Sequence, residues 1–242
     1  MEIITLNDPL AVGKKTAEIF IKAIEKKPNA ILGLATGSSP LPTYQELIKA
    51  HKNHQVSFKN VKTFNLDEYV GLKEGDSHSY RHFMNENLFN HLDIHKPNTH
   101  IPSVKHEALD HPEQYDELIK QAGGIDVQLL GLGVNGHIGF NEPGTKFDSL
   151  TSVVNLTPST IAANARFFKN ESEVPTKAVS MGLGSIMQAK KIVLIATGLN
   201  KSEAIKHLVE DAPNENWPVT VLKNHPNVTI IIDEQAASQI KK

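Results

Sequence analysis

The chain has 242 residues, 39% of them hydrophobic and 21% charged, with 25 Lys plus Arg against 27 Asp plus Glu and a formal net charge of −2. Such a composition supports a globular protein with a full core, and the lack of a basic tract or tail argues against nucleic acid or a membrane surface as partner. There is no cysteine, so disulfides, thiolate metal sites and a Cys nucleophile are excluded.

Met1-Glu-Ile-Ile-Thr-Leu-Asn-Asp-Pro9 has neither a basic segment nor a long apolar one, and no run of ~18 uninterrupted apolar residues occurs anywhere, so a cytoplasmic enzyme or sensor is expected. Asp8-Pro9 is placed to cap and open a helix to about Lys27, where Lys26-Lys-Pro-Asn29 ends it. Residues 30–35 read as a buried strand, followed by Thr36-Gly-Ser-Ser-Pro40 and a helix over 41–51. Residues 61–66 predict a second strand. Tyr80, Phe83, Met84, Leu88 and Leu92 predict a helix over 79–92. Residues 97–102 connect to a helix at 112–122 and a strand at 125–132. The segment 146–176 is polar and weakly periodic, with Thr157-Pro-Ser-Thr160 opening a short helix. A short strand (177–181), a helical turn (184–189), a strand (191–196), a helix (201–210) and a last strand (228–233) complete the chain. This alternation predicts an α/β fold: an open, mostly parallel, doubly wound (Rossmann-like) sheet with helices on both faces. With no repeat, low-complexity stretch or linker, residues 1–242 are expected to form one domain.

Four of the apolar runs end in polar, Gly-rich loops, and parallel sheets bind ligands at the carboxyl ends of their strands. Thr36-Gly-Ser-Ser39 joins a strand to a helix, where free amides and a partial positive charge suit phosphate; an ordinary N-cap turn explains the same residues. Asp67 and Glu68 follow the second strand. Neighbours on an extended chain point oppositely, so one is a candidate base and the other a salt-bridge partner, unless both merely cap a turn. Gly131-Leu-Gly-Val-Asn-Gly136 matches the dinucleotide pattern literally, but Gly136, Gly139 and Pro143 deny the helix that pattern must open. The loop instead carries His137 and Glu142, a titratable ring with a carboxylate to orient it. Lys201 and Arg166 are candidate anion ligands. His78 and His82, spaced i, i+4 without an intervening Glu, are read as surface residues of one helix.

Together, Leu34-Ala-Thr-Gly-Ser-Ser-Pro40, Thr63-Phe-Asn-Leu-Asp-Glu-Tyr-Val-Gly71, Ser79-Tyr-Arg-His-Phe-Met84, Gly136-His-Ile-Gly-Phe-Asn-Glu-Pro143 and Asn164-Ala-Arg-Phe-Phe168 resemble the glucosamine-6-phosphate deaminase family along nearly the whole chain. The resemblance implies conversion of glucosamine 6-phosphate and water to fructose 6-phosphate and ammonia, with no metal and no organic cofactor. It implies ring opening by His137 supported by Glu142, proton transfer from C2 to C1 by Asp67, and phosphate held by Gly37, Ser38, Ser39, Arg166 and Lys201. It also implies a mobile lid at about 150–175. Some members carry Asp where this chain has Asn135. An uncharged Asn orients a neighbour by hydrogen bonds without raising the His137 pKa by charge, so Glu142 is expected to carry more of that task. Longer members have a C-terminal extension tied to hexamer assembly and allosteric activation; here about nine residues follow the last predicted strand. A monomer or small homo-oligomer without activation is expected. The competing readings are a 6-phosphogluconolactonase or sugar-phosphate isomerase on a similar fold, and a non-catalytic sugar-phosphate sensor.

Overall fold

A computed structural model describes residues 1–73, 75–165, 168, 170 and 173–241. Seven strands form one sheet in which every pairing is parallel. They are β1 (Glu2–Leu6), β2 (Ile31–Leu34), β3 (Lys62–Asn65), β5 (Thr99–His100), β6 (Val127–Leu130), β9 (Ile192–Ala196) and β10 (Val228–Asp233), in the order β1-β10-β9-β6-β2-β3-β5. Every residue of β2, β6, β9 and β10 is buried. A strand covered on both faces has no solvent side, hence the largely apolar runs, in which only Gln128, Thr229 and Asp233 are polar.

The faces divide by alternation along each strand. Leu130, Ile192 and Leu194 enter one core with Tyr115 and Ile119 of helix α5 (Gln114–Ala122), Leu183 of α7 (Leu183–Ile186) and Ile205 of α8 (Ser202–Glu210). Leu129, Val193 and Ile195 enter the other, with Phe20 of α1 (Pro9–Lys26), Tyr44 and Leu47 of α2 (Leu41–Lys52) and Met84 of α3 (Tyr80–Asn87). Helix starts follow local chemistry. Asp8 accepts the Ala11 amide at 2.8 Å, with Pro9 opening α1. Ser79 accepts the His82 amide at the start of α3.

Several elements differ from expectation, among them the short strand β5, which lies in the stretch 97–102 read as a connector. The edge strand β1 was not foreseen; its Glu-Ile-Ile-Thr-Leu run is short and mostly exposed, so it carries little signal. The segment after β3 turns at Leu66 into β4 (Asp67–Tyr69), which pairs antiparallel with β8 (Lys177–Ser180); β8 pairs in turn with β7 (Ser152–Asn155). Three- and four-residue strands are too short to show a period. The helix expected to reach residue 92 ends at Asn87, and Phe89–His91 continues as a 3₁₀ turn. His78 therefore precedes α3 and does not share a helix with His82; its ring bonds Asp76 at 2.7 Å.

The strand order reverses around β2. The chain steps from β2 to β3 and β5 on one side, then returns to β6 on the other. The loops leaving β2 and β6 thus diverge and open a crevice at the carboxyl ends of the strands.

The crossing of α1 on α2 is close: a Cβ at Gly13 would lie 2.4 Å from Pro42 Cβ and 2.7 Å from the Pro42 carbonyl carbon. In an exposed helix Gly→Ala stabilises by up to about 1 kcal/mol. Here backbone must move, so Gly13→Ala is expected to destabilise by about 1–3 kcal/mol, read as a lower thermal midpoint. A raised midpoint would contradict this crossing.

Candidate active site

A cleft of about 290 Å³ lies over the carboxyl ends of β2, β3, β6 and β9, four adjacent strands. It is lined by Gly37, Ser38 and Ser39, by Asp67, by Asn135 and His137, and by Lys201, so the four loops singled out in the sequence do converge. Glu142 stands behind His137 and Asn135. Arg166 lies outside the described residues.

The loop after β2 has open backbone amides of the kind that suit an anion. Gly37 has φ +91°, a region that favours glycine, and among the described residues no atom beyond its chain neighbours lies within 4 Å of where its Cβ would be, so the backbone is open to the cleft. Among the described residues the amides of Gly37, Ser38 and Ser39 donate to no acceptor, and they precede the twelve-residue helix α2. Tyr44 anchors the loop by donating to the Ala35 carbonyl at 2.5 Å. Lys201 ends the 3₁₀ turn Leu199–Lys201 after β9. That loop is fixed from β10: both carboxylate oxygens of the buried Asp233 accept the Gly198 amide, at 3.0 and 2.9 Å.

The adjacent acids of β4 do point apart. The Glu68 carboxylate accepts the amides of Tyr69, Tyr80 and Arg81, each at 2.9 Å, and so clamps β4 onto the start of α3. It is an acceptor of backbone amides where a salt-bridge partner was expected. Asp67 turns into the cleft wall. Only 6% of it is exposed, and among the described residues no donor bonds its carboxylate. Burial, reinforced by the nearby Glu68 charge, pushes its pKa up to about 8.

The loop after β6 contains no helix, consistent with setting aside the dinucleotide pattern. It folds back on itself: the Gly133 amide donates to the His137 carbonyl at 2.9 Å. A Cβ at Gly133 would lie 2.3–2.4 Å from three imidazole atoms, so only glycine lets the ring lie there. His137 Nδ1 is 3.6 Å from Glu142 Oε2, just beyond direct hydrogen bonding but within reach of its charge. Asn135 Nδ2 donates to the same oxygen at 2.8 Å, while Asn135 Oδ1 accepts the His137 amide at 3.3 Å. Asn135 thus orients Glu142, a task that needs a donor. The other oxygen, Oε1, accepts from Thr160 Oγ1 at 2.5 Å, and Thr157 Oγ1 lies 3.3 Å from it. Burial alone would raise the Glu142 carboxyl, but His137, Thr160 and Asn135 outweigh it and hold the pKa down at about 2.

Thr160, Tyr80 and Asp233 were missed at the level of sequence. Thr160 and Tyr80 line the cleft, yet each looked like an ordinary helix residue, and Asp233 like the end of a strand. Thr157-Pro-Ser-Thr160 was legible only as a helix start, which it also is: Thr157 caps α6 (Pro158–Asn164). Among the described residues no three His, Asp or Glu side chains are grouped to hold a metal ion, and no helix is long and apolar enough to cross a membrane.

Residues 10–231 match the family described as glucosamine-6-phosphate isomerases/6-phosphogluconolactonase. A glucosamine-6-phosphate deaminase of Mycoplasma mycoides subsp. mycoides SC is 55% identical over 240 residues, covering 99% of this chain and 98% of its own. A solved structure of a monomeric glucosamine-6-phosphate deaminase is 42% identical and superposes with a TM-score of 0.95 over 98% of this chain and 99% of its own. A 6-phosphogluconolactonase from Trypanosoma cruzi, 20% identical, has a TM-score of 0.79 over 100% of this chain and 97% of its own, a likeness of fold alone.

The two carboxyls leave opposite marks on stability. An unfolded Asp67 ionises near its ordinary value of 3.8, the folded one only near about 8. Between those values the unfolded chain has released a proton that the folded chain keeps, so stability falls as pH rises. For Glu142, stability rises with pH between about 2 and its ordinary 4.5. Asp67→Asn removes the first effect. Its stability advantage over the native chain in urea melts should widen between pH 4 and pH 8 by more than about 1 kcal/mol; a constant gap would mean that Asp67 ionises normally.

Proposed function

This chain belongs to the family of glucosamine-6-phosphate isomerases and 6-phosphogluconolactonases, and we propose that within it the chain is a glucosamine-6-phosphate deaminase, converting glucosamine 6-phosphate and water to fructose 6-phosphate and ammonia. The observation that carries this reading is the cleft itself: a buried carboxylic group of raised pKa faces the same space as a His–Glu pair and an open phosphate-binding turn. The relatives of high identity bear the same name.

The phosphate rests on the amides and hydroxyls of Gly37, Ser38 and Ser39 with the charge of Lys201, and Arg166 is assigned to the same group. That end fixes the sugar, so the reacting carbons lie deeper, toward Asp67 and His137. His137 takes the proton of the anomeric hydroxyl and returns one to the ring oxygen, breaking the C1–O5 bond and giving the open-chain aldehyde. Glu142, an anion at any working pH, steadies the imidazolium formed between those transfers, and Asn135 keeps it aimed. Asp67 then removes the C2 proton while a proton passes from the C2 ammonium to O1, leaving a cis-enolamine, and the protonated Asp67 delivers its proton to C1. The resulting C2 imine adds water and expels ammonia. Each bond made or broken is accompanied by a proton transfer, the chemistry that His and carboxyl side chains supply.

Residues 1–242 act as one catalytic domain in this reading, with a lid at about 150–175 whose described part includes α6 and the cleft-lining Thr160. The likeness to a monomeric deaminase supports a monomer or small homo-oligomer. A charged sugar phosphate does not cross membranes unaided, which supports action in the cytoplasm.

The test is to follow ammonia and fructose 6-phosphate together from glucosamine 6-phosphate. Equal formation is expected; neither product, despite tight sugar-phosphate binding, would overturn the reading and favour the lactonase chemistry that this family also includes. His137→Gln is expected to slow turnover of the closed ring by about 100-fold or more while sparing a pre-opened analogue. Equal slowing of both would remove His137 from ring opening.

A further inference from the structure

Glu142 is gripped on both oxygens from two different parts of the chain. Asn135, in its own loop, holds Oε2 at 2.8 Å. Thr160, eighteen residues away on α6, holds Oε1 at 2.5 Å. The Thr160 hydroxyl is itself located by Thr157, whose Oγ1 donates to Thr160 Oγ1 at 3.0 Å and accepts the Thr160 amide at 3.3 Å. Thr160 is buried, 8% exposed, yet borders the cleft, so little water competes for its bond to the carboxylate.

The imidazole fixes why this grip matters. His137 Nδ1 is buried and, among the described residues, makes no hydrogen bond within the normal distance; the acid facing it is Glu142, with Oε2 at 3.6 Å. Gly133 packs against the ring and prevents it from dropping away. Closing the remaining gap therefore depends on which way the Glu142 carboxylate is turned. A carboxylate rotates about its last bond over a broad well, and Asn135 alone can follow that rotation because it bonds only one oxygen. A second donor on the opposite oxygen stops the rotation.

We propose that Thr160 is a positioning residue for ring opening: its hydroxyl locks the Glu142 carboxylate in the orientation that serves His137, so that ring opening requires α6 to be seated against the catalytic loop. The proposal rests on the deaminase reading above. Thr160 touches no reacting atom in it; it acts through Glu142. The Oγ–H bond supplies direction, and the methyl group fills the wall of the cleft, so serine keeps the function and valine keeps only the shape.

The experiment compares Thr160→Val and Thr160→Ser with the native enzyme on glucosamine 6-phosphate carrying hydrogen or deuterium at C2. Thr160→Val is expected to lower kcat about 10- to 100-fold, the range for losing one hydrogen bond to a charged group. Because the lost speed falls on ring opening, the C2 deuterium isotope effect should shrink toward one. Affinity for a linear amino-alditol phosphate, which needs no opening, should stay within about twofold. Thr160→Ser should restore both rate and isotope effect. If the native isotope effect is itself near one, the Glu142→Ala background decides: Thr160→Val should add nothing there.

A native rate in Thr160→Val overturns the proposal. So does a slow variant whose isotope effect is kept or enlarged, because the slow step is then at C2 or the active fraction has simply fallen. A loss that multiplies fully with Glu142→Ala also overturns it. Each of these leaves the deaminase reading standing, whereas a native enzyme that releases no ammonia removes that reading instead.

Discussion

The site depends on the opposed orientation of two neighbouring acids in a three-residue strand. Glu68 is tied to three backbone amides, which fixes β4 against the start of α3 and forces Asp67 to the other side. Neighbouring positions of an extended chain have no other choice. The clamp holds Asp67 in a nearly dry wall with no donor to stabilise its charge, and it adds a like charge beside it. A carboxyl in that setting binds a proton readily and releases it near neutral pH, as a group must if it carries a hydrogen from one carbon to the next.

Glu142 is the complementary case. It is also partly buried, yet donors converge on both of its oxygens and keep it ionised. Two carboxyls of similar intrinsic acidity are thus driven in opposite directions by what surrounds them, one toward proton exchange and one toward a permanent charge. The scaffold makes this separation inexpensive in chain length. Four parallel strands end side by side, the order reverses between β6 and β2, and each acid comes from a different strand end.

Much of this was legible without coordinates. The fully buried strands announced themselves as largely apolar runs, and the last of them, Val228–Asp233, has the bounds expected. Asp8, Ser38, His137 and Lys201 lie in loops or caps whose residue types have a local reason to be there, and Asp67 follows directly on the expected second strand. The small sheet of β4, β8 and β7 was not foreseen as a unit, because strands of three or four residues show no period and β4 pairs with β8 across more than a hundred residues of sequence. Thr160 was hidden for a different reason: its partner Glu142 lies on another loop, and a threonine in the first turn of a helix is fully explained by the helix. Glu68 was seen but misread, since the amide donors at the start of α3 leave no mark beside it in the sequence.

The central claim is that one buried carboxyl, Asp67, moves the hydrogen from C2 to C1 of the sugar without handing it to solvent. The direct measurement is turnover of C2-deuterated glucosamine 6-phosphate in ordinary water, with deuterium at C1 of the fructose 6-phosphate product read by mass spectrometry or NMR. A single shielded carrier predicts that a measurable share of the deuterium reappears at C1. Complete washout to solvent, at a rate matching turnover, would contradict transfer by a buried Asp67.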